Sequence, residues 1–151
     1  SVGLRRERAH DTWTAQSRIA RRESRGAGPT PESNCTRQRA RDAVLRQTAA
    51  RLKGRLRAYD IACRYDAEAL LVVVPGTSLH GASRVAEDLR DCIALASFDD
   101  GRGSLGLVTA SFGVASFPEQ ADSVAELLLH VEAELARAQS NGRNCVAVRG
   151  E

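Results

Sequence analysis

Two short stretches of the sequence bring arginine and carboxylate side chains close together along the chain. Arg57 and Asp60 are three residues apart, so one turn can direct a guanidinium group and a carboxylate towards the same polar ligand through charge-assisted hydrogen bonds. After five intervening residues, Asp66 and Glu68 lie in a short segment between two apolar runs. The plainer interpretations are a surface ion pair for Arg57 with Asp60 and an ordinary exposed turn acid for Glu68.

A predicted β-hairpin positions both stretches. Its strands are residues 61–65 and 68–74, and its turn is Asp66-Ala67. Aspartate tolerates unusual turn dihedrals, whereas alanine does so poorly. The second strand contains the apolar run Leu70–Val74 and is closed by Pro75-Gly76, which is typical of a strand buried on both faces.

The other predicted elements alternate between helices and strands. Apolar residues at helical spacing predict three helices, and two apolar runs predict two more strands. The helices are residues 41–56, 79–95 and 123–140. Thr77 or Ser78 can cap the second helix, and the third begins with the capping box Ser123-Val-Ala-Glu126. The strands are residues 105–116 and, at a sheet edge, 144–149. This order predicts an α/β fold with a mixed central sheet flanked by helices.

The beginning of the chain differs in composition from the rest. Residues 1–41 hold ten Arg and four acidic residues, a net charge of +6 in a chain whose total is +3. Residues 21–41 contain no apolar run, so they offer too little apolar surface to offset the chain entropy lost on ordering. We therefore predict an Arg-rich, poorly ordered leading segment over residues 1–39 and one folded domain over residues 40–151.

Composition also limits the classes of partner and compartment. No apolar run is long enough to span a membrane, and the basic leading segment has a single aromatic residue, Trp13, so we expect neither membrane insertion nor nucleic-acid binding. The four cysteines are scattered, without the clustering of a zinc site. We predict that they are small buried thiols of a protein in the reducing cytoplasm; they are Cys35, Cys63, Cys92 and Cys145.

The hairpin resembles the signature hairpin of GGDEF domains, the diguanylate cyclases. Where that family has Gly-Gly-Asp/Glu-Glu-Phe, this chain has Asp66-Ala67-Glu68-Ala69-Leu70. Many members also carry Arg-x-x-Asp five residues before the motif, as Arg57 and Asp60 are placed here. The resemblance extends through residues 108–115 and 138–144 and covers residues 40–149.

This resemblance implies a fold similar to that of nucleotidyl cyclases. In the family, an apolar first strand runs through the centre of the sheet and leads to a metal-binding Asp. The leading segment of this chain shows no counterpart of that strand or of that Asp. The expected fold is therefore a GGDEF-like sheet whose first strand is missing.

The resemblance also implies roles for individual residues. A diguanylate cyclase joins two GTP molecules with the help of Mg²⁺, and Glu68 matches a metal-binding acid, Asp42 a guanine-binding residue and Arg143 a phosphate-binding residue. The paired glycines are replaced by Asp66 and Ala67, and Gln139 stands where the family has a phosphate-binding Lys. Because preorganised charge is usually the largest catalytic term, we predict a vestigial site without a cofactor. Mg²⁺ is expected only if the alternative, an active cyclase, is correct.

In the family, the Arg-x-x-Asp pair forms an inhibitory site that binds the product, cyclic di-GMP. Arg57 and Asp60 are the corresponding residues here. Family members often add an Arg from the next helix as a second arm of this site. That position is Asp88 in this chain, so Arg84 or Arg90 would have to replace it. We predict a degenerate domain that binds cyclic di-GMP or partner proteins, attached to other signalling domains of a longer bacterial chain and able to form a homodimer. The other alternative is a purely structural dimerisation domain.

Overall fold

The computed structural model describes residues 12–21 and 31–150, with side chains from residue 34 onwards. It contains five strands and three helices within these ranges. In chain order they are β1 (Thr12–Arg21), α1 (Pro31–Lys53), β2 (Ile61–Arg64), β3 (Ala69–Pro75), α2 (Leu79–Ala94), β4 (Val108–Phe117), α3 (Val124–Ser140) and β5 (Val146–Val148).

The strands form one mixed sheet in the order β2-β3-β1-β4-β5. β1 is antiparallel to both neighbours, with Thr14 opposite Val73 of β3 and opposite Ala115 of β4. β2 pairs antiparallel with β3, which gives the predicted hairpin, and β5 runs parallel to β4 at the other edge. The predicted α/β class and the mixed sheet flanked by helices are confirmed.

The prediction that the first strand is missing was wrong. β1 is the central strand of the sheet and pairs along its whole length with β4. Its sequence, TWTAQSRIAR, shows no apolar run, so neither alternation nor composition indicates a central strand. The strand is defined by backbone pairing on both sides, which is a tertiary effect that local sequence patterns do not contain.

The predicted boundary at residue 40 needs correction as well. α1 begins at Pro31, ten residues before the predicted start of that helix, and proline is favoured in the first turn because its missing N–H has no helical partner there. Residues 12–21 and 31–39 are therefore parts of the folded domain. The rest of the predicted leading segment, residues 1–11 and 22–30, lies outside the described residues.

The main core lies between one face of the sheet and helices α1 and α2. Leu70, Val72 and Val74 of β3 are buried in it, whereas Leu71 and Val73, on the opposite face, are only half-buried. The expectation that β3 is buried on both faces was therefore wrong. The expectation of buried thiols fails for Cys35 and Cys63, which are exposed, and Cys92 and Cys145 are half-buried.

Helix α3 packs against the other face of the sheet over β4. The contact is so close that a Cβ atom on Gly113 would lie 2.4 Å from the backbone nitrogen of Leu135, so only glycine fits there. Ser123 caps this helix as predicted, its hydroxyl accepting a hydrogen bond from the Glu126 N–H at 3.2 Å. Over residues 12–21 and 31–150, no helix is long and apolar enough to cross a membrane.

Candidate functional site

The hairpin turn between β2 and β3 is held by its own backbone and by Asp66. The Tyr65 N–H donates to the carbonyl oxygen of Ala69 at 2.9 Å, which closes the turn. One carboxylate oxygen of Asp66 accepts a hydrogen bond from the Glu68 N–H at 2.7 Å. Asp66 stands where the resemblance expects glycine. Its carboxylate accepts a hydrogen bond from a backbone N–H of the turn, so this side chain helps to hold the turn together.

Arg64 at the end of β2 fastens this turn to α1. Its guanidinium group donates to the carbonyl oxygen of Asp66 at 3.1 Å and to that of Ala67 at 3.4 Å. A terminal nitrogen of the same group lies 3.4 Å from a carboxylate oxygen of Asp42 on α1. The predicted guanine-binding carboxylate is thus brought next to the hairpin turn, and it faces a cation of the chain itself.

Glu68, the predicted metal ligand, also has a cationic neighbour. A terminal nitrogen of Arg41 on α1 lies 3.3 Å from its carboxylate. In the part of the chain that the structure describes, no three His, Cys, Asp or Glu side chains are grouped to hold a metal ion. β1 contains no Asp or Glu. Because Mg²⁺ requires several oxygen ligands and strong negative charge, the described residues around Glu68 do not by themselves fit a Mg²⁺ site.

The last two residues of the signature turn belong to the core. Ala69 and Leu70 are 1% and 4% exposed. Ala69 begins β3, and its carbonyl accepts the hydrogen bond that closes the turn. Both side chains are apolar and almost fully buried, so among the five turn residues only Asp66, Ala67 and Glu68 offer polar or more accessible groups.

Arg57 and Asp60 form a second turn, at the start of β2. A carboxylate oxygen of Asp60 accepts from the Arg57 N–H at 2.7 Å, and the Asp60 N–H donates to the Arg57 carbonyl at 3.1 Å. The other oxygen of Asp60 is buried and has no hydrogen-bond partner. The guanidinium group of Arg57 is exposed and donates to the Tyr59 hydroxyl at 3.0 Å. The two predicted ligand-binding residues are thus adjacent, but the carboxylate is directed into its own turn.

The two arginines proposed as a second arm differ in their surroundings. Arg90 on α2 contacts Glu87 and Asp91, each at 2.8 Å, and approaches Asn144 beyond α3. The hydrogen bond to Glu87 raises the pKa of Arg90, although partial burial acts in the opposite direction. Arg84 is exposed on the same helix. Arg90 therefore holds α2 to the segment before β5, and Arg84 is the more accessible of the two.

Arg143 lies in a tight turn that follows α3. It has a positive φ of 63°, as does Asn144 with 49°, and such angles are unusual for residues other than glycine. Its N–H donates to the carbonyl of Ala138 at 3.2 Å, which helps to end the helix. The Arg143 side chain is exposed and Gln139 is half-buried, and no contact joins Arg143 to Glu68 or Asp42 in the described ranges.

Sequence reasoning missed two cations of the site, Arg41 and Arg64. A signal for Arg41 was present, because this residue directly precedes Asp42, which the resemblance matches to a guanine-binding residue. A third omission is the hydrogen bond from the Tyr65 hydroxyl to Glu132 on α3, at 2.7 Å. This bond raises the pKa of Tyr65, because it stabilises the neutral phenol beside an anion.

Comparison with known proteins identifies the family. Residues 38–145 match the GGDEF domain of diguanylate cyclases. The response regulator PleD of Caulobacter vibrioides is 37% identical over 106 residues, which cover 70% of this chain and 23% of PleD. This chain therefore belongs to the GGDEF domain family, and it spans about a quarter of the length of that relative.

Solved structures of GGDEF domains show the same fold. The GGDEF domain of YfiN from Pseudomonas aeruginosa superimposes with a TM-score of 0.77 at 23% identity, covering 94% of this chain and 84% of that one. The GGDEF domain of DgcB from Caulobacter crescentus, solved in complex with c-di-GMP, gives a TM-score of 0.72 at 18% identity, covering 92% and 78%. The predicted family and nucleotidyl cyclase-like fold are thus confirmed.

Proposed function

We propose that this chain is a catalytically degenerate GGDEF domain that acts as a cyclic-di-GMP-binding or interaction module in bacterial second-messenger signalling. It would work in the cytoplasm, joined to other signalling domains of a longer protein. The proposal has two parts, loss of synthesis and retention of binding. Each part depends on a different turn of the hairpin region.

One observation supports the loss of synthesis most strongly. Glu68, the vestigial metal ligand, faces the guanidinium group of Arg41 at 3.3 Å. Metal-assisted phosphoryl transfer requires carboxylates that are available to the metal and a turn whose backbone can approach the phosphates. Here an intrachain cation lies beside the remaining carboxylate, and Asp66 adds negative charge where phosphate would approach.

The retention of binding depends on Arg57. Its exposed guanidinium fork can donate to guanine O6 and N7 or to a phosphate of cyclic di-GMP. Asp60 can accept from the guanine N1–H and N2–H only after releasing the Arg57 N–H, which it accepts at 2.7 Å. Asp88, an acid, stands where the family has the additional Arg of this site. We therefore propose a dissociation constant in the micromolar range or weaker, which corresponds to a binding free energy of about −8 kcal/mol at best.

Calorimetry with cyclic di-GMP and GTP in parallel tests the binding part. We expect weak binding of cyclic di-GMP, loss of that binding in Arg57→Ala, and stronger binding in Asp88→Arg, which restores a cation on α2. Arg55→Ala is the matched control, because Arg55 is exposed two residues before Arg57. Equal affinity in Arg57→Ala would place the ligand elsewhere, and no binding at millimolar ligand would favour the purely structural dimerisation domain.

An assay for cyclic di-GMP formation tests the catalytic part. With GTP and either Mg²⁺ or Mn²⁺, we expect no product above a blank without protein. The alternative, an active diguanylate cyclase, requires product that disappears in Glu68→Ala, the variant that removes the remaining family carboxylate. Sedimentation analysis of the same samples tests for a homodimer, with and without cyclic di-GMP.

A further inference from the structure

A groove runs between helix α1 and strand β2, apart from the Arg57 turn. Its volume is about 450 Å³, within the roughly 300–1,000 Å³ of ordinary ligand sites. On the α1 side, its wall is one continuous helical stripe with spacing i, i+3, i+4, i+7, i+8 and i+11, namely Asp42, Leu45, Arg46, Ala49, Ala50 and Lys53. Leu70 of β3 lines it as well. The groove therefore follows the helix for about three turns.

On the β2 side, the groove reaches the edge of the sheet. Three consecutive residues line it, Ala62, Cys63 and Arg64. Successive side chains of a strand point to opposite faces, so three in a row can border one groove only where it meets the strand edge. β2 is the outermost strand on this side of the sheet.

The backbone register determines which groups face this edge. The Tyr65 N–H donates to the Ala69 carbonyl at 2.9 Å, so Tyr65 and Ala69 form a hydrogen-bonded pair. Such pairs alternate with non-bonded pairs along an antiparallel ladder, and therefore Ala62 and Arg64, opposite Val72 and Leu70, direct their N–H and C=O groups outwards. Two residues of β2 thus present four backbone groups along the groove.

The side chains around the groove give it a positive charge. Arg46 and Lys53 are exposed on α1, and the side chain of neither forms a hydrogen bond or ion pair with another described residue. Arg64 adds a third cation, while Asp42 is the single acid of the lining and lies 3.4 Å from Arg64. The floor between these charges is small and apolar, formed by Ala49, Ala62 and their neighbours.

We propose that this groove binds an extended, acidic segment of a partner protein, which adds to β2 as a sixth strand. Main-chain hydrogen bonds to Ala62 and Arg64 would supply affinity, and carboxylates of the segment would pair with Arg46 and Lys53. The open strand edge favours a peptide over a nucleotide, because a nucleotide leaves the outward backbone groups of β2 unpaired. Small alanine side chains leave room for alternate apolar residues of the segment.

A fluorescein-labelled peptide of alternating Val and Glu, six residues long, tests the proposal by fluorescence anisotropy. We expect saturable binding that weakens as salt is added, and no binding of the Val-Lys counterpart. Arg46→Glu/Lys53→Glu should weaken binding at least about tenfold, because it replaces attraction by repulsion. Arg55→Glu/Arg102→Glu is the matched control: both residues are exposed and lie outside the groove, and the change in net charge is the same.

Three further measurements test whether the peptide adds to β2 as a strand or is held by charge attraction alone. Of two versions of the peptide, N-methylated on either the Val or the Glu amides, the one whose methyl groups face β2 should lose binding at least about tenfold, because it cannot pair with the strand. Ala62→Pro should do the same while circular dichroism stays unchanged, since proline is tolerated on the open side of an edge strand. The bound peptide should also slow alkylation of Cys63, in the groove, but not of Cys35, which is exposed outside it.

Three results would overturn the proposal. The first is equal peptide affinity in the Arg46→Glu/Lys53→Glu and Arg55→Glu/Arg102→Glu variants. The second is undiminished binding of both N-methylated peptides. The third is displacement of the peptide by GMP at equal concentration together with loss of GMP binding in Arg46→Glu/Lys53→Glu, which would identify the groove as a nucleotide site.

Discussion

The hairpin region contains two turns that use the same chemistry differently. In the turn at residues 64–69, Arg64 joins the turn carbonyls to Asp42 on α1, and Asp66 accepts a backbone N–H. In the turn at residues 57–60, Asp60 also accepts a backbone N–H, but among the residues that the structure describes the Arg57 guanidinium group contacts only its neighbour Tyr59. One turn is fastened to a second element of the fold, whereas the other is held by local bonds.

This difference suits one turn to a structural role and the other to the binding role that we propose. Side chains that link elements contribute to stability and are not free for a ligand, which is the situation of Arg64. An exposed arginine with a single local contact contributes little to stability and is available to bind. The comparison therefore predicts opposite outcomes for matched substitutions in the two turns.

The largest contrast is expected between Arg64→Ala and Arg57→Ala. Arg64→Ala removes two hydrogen bonds to turn carbonyls and an ion pair, and we expect it to lower the free energy of unfolding by about 2 kcal/mol, given the exposure of the groups. Arg57→Ala removes one exposed contact and should cost less than about 0.5 kcal/mol. Urea denaturation measures both; equal losses would contradict the distinction between the turns.

Substitutions of the two turn aspartates, Asp66 and Asp60, should differ less in their effect on stability. Asp66→Ala removes the acceptor of the Glu68 N–H, and we expect a loss of about 1 kcal/mol. Asp60→Ala removes the acceptor of the Arg57 N–H but also a buried carboxylate oxygen that has no partner, so the two effects offset and the loss should stay below about 0.5 kcal/mol. Thermal unfolding at equal buffer conditions compares the two variants. A larger loss at Asp60 would show that its buried oxygen is satisfied in solution.

The hairpin and the helices after residue 78 were predictable because each has a local signal. The run Leu70–Val74 predicted β3, and Ser78 and Ser123 cap helices where expected. β1 was not predictable, because its residues carry no apolar pattern and its position follows from pairing with β3 and β4. Local propensity describes what a segment favours alone, whereas a central strand is determined by its neighbours.

The sequence predicted which residues belong to the candidate site, but not which groups their side chains contact. The motif spacing identified Asp42, Arg57, Asp60 and Glu68, and the structure brings Asp42 and Glu68 to the hairpin turn through Arg64 and Arg41. The direction of a side chain in a turn depends on its hydrogen-bond partners, so the inward carboxylate of Asp60 could not be read from Arg-x-x-Asp alone.

A third prediction concerns the ion pair between Arg41 and Glu68. Its side chains are 51% and 35% exposed, so Arg41→Ala should cost about 0.5 kcal/mol at low salt. The loss should shrink towards zero in about 1 M NaCl, where the screening length falls to roughly 3 Å. Arg39→Ala, exposed on the same helix, is the control and should show no salt-dependent difference. A loss that persists at high salt would indicate packing rather than charge.

The smallest effect compares the tyrosines that belong to the two turns, Tyr59 and Tyr65, which are the two tyrosines of the chain. The hydrogen bond to Glu132 raises the pKa of Tyr65 above 10.0, and partial burial and the charges of Glu132 and Asp66 act in the same direction. In Tyr59→Phe, Tyr65 is the sole remaining tyrosine, so phenolate absorbance should report its pKa directly. Adding Glu132→Gln should bring that pKa back towards its ordinary value.

The raised pKa of Tyr65 determines how its contribution to the free energy of unfolding changes with pH. A tyrosine whose pKa is raised on folding stabilises the folded state while the phenol is neutral, so the contribution is present below pH 10.0 and declines as the pH rises through the folded-state value. Tyr65→Phe removes it, and the difference in unfolding free energy between Tyr65→Phe and the parent should therefore be greatest at neutral pH. Tyr65 is 40% exposed, which keeps the effect below about 1 kcal/mol. If the pKa of Tyr65 were unchanged after Glu132→Gln, the hydrogen bond between the hairpin turn and α3 would not be the cause of the raised pKa.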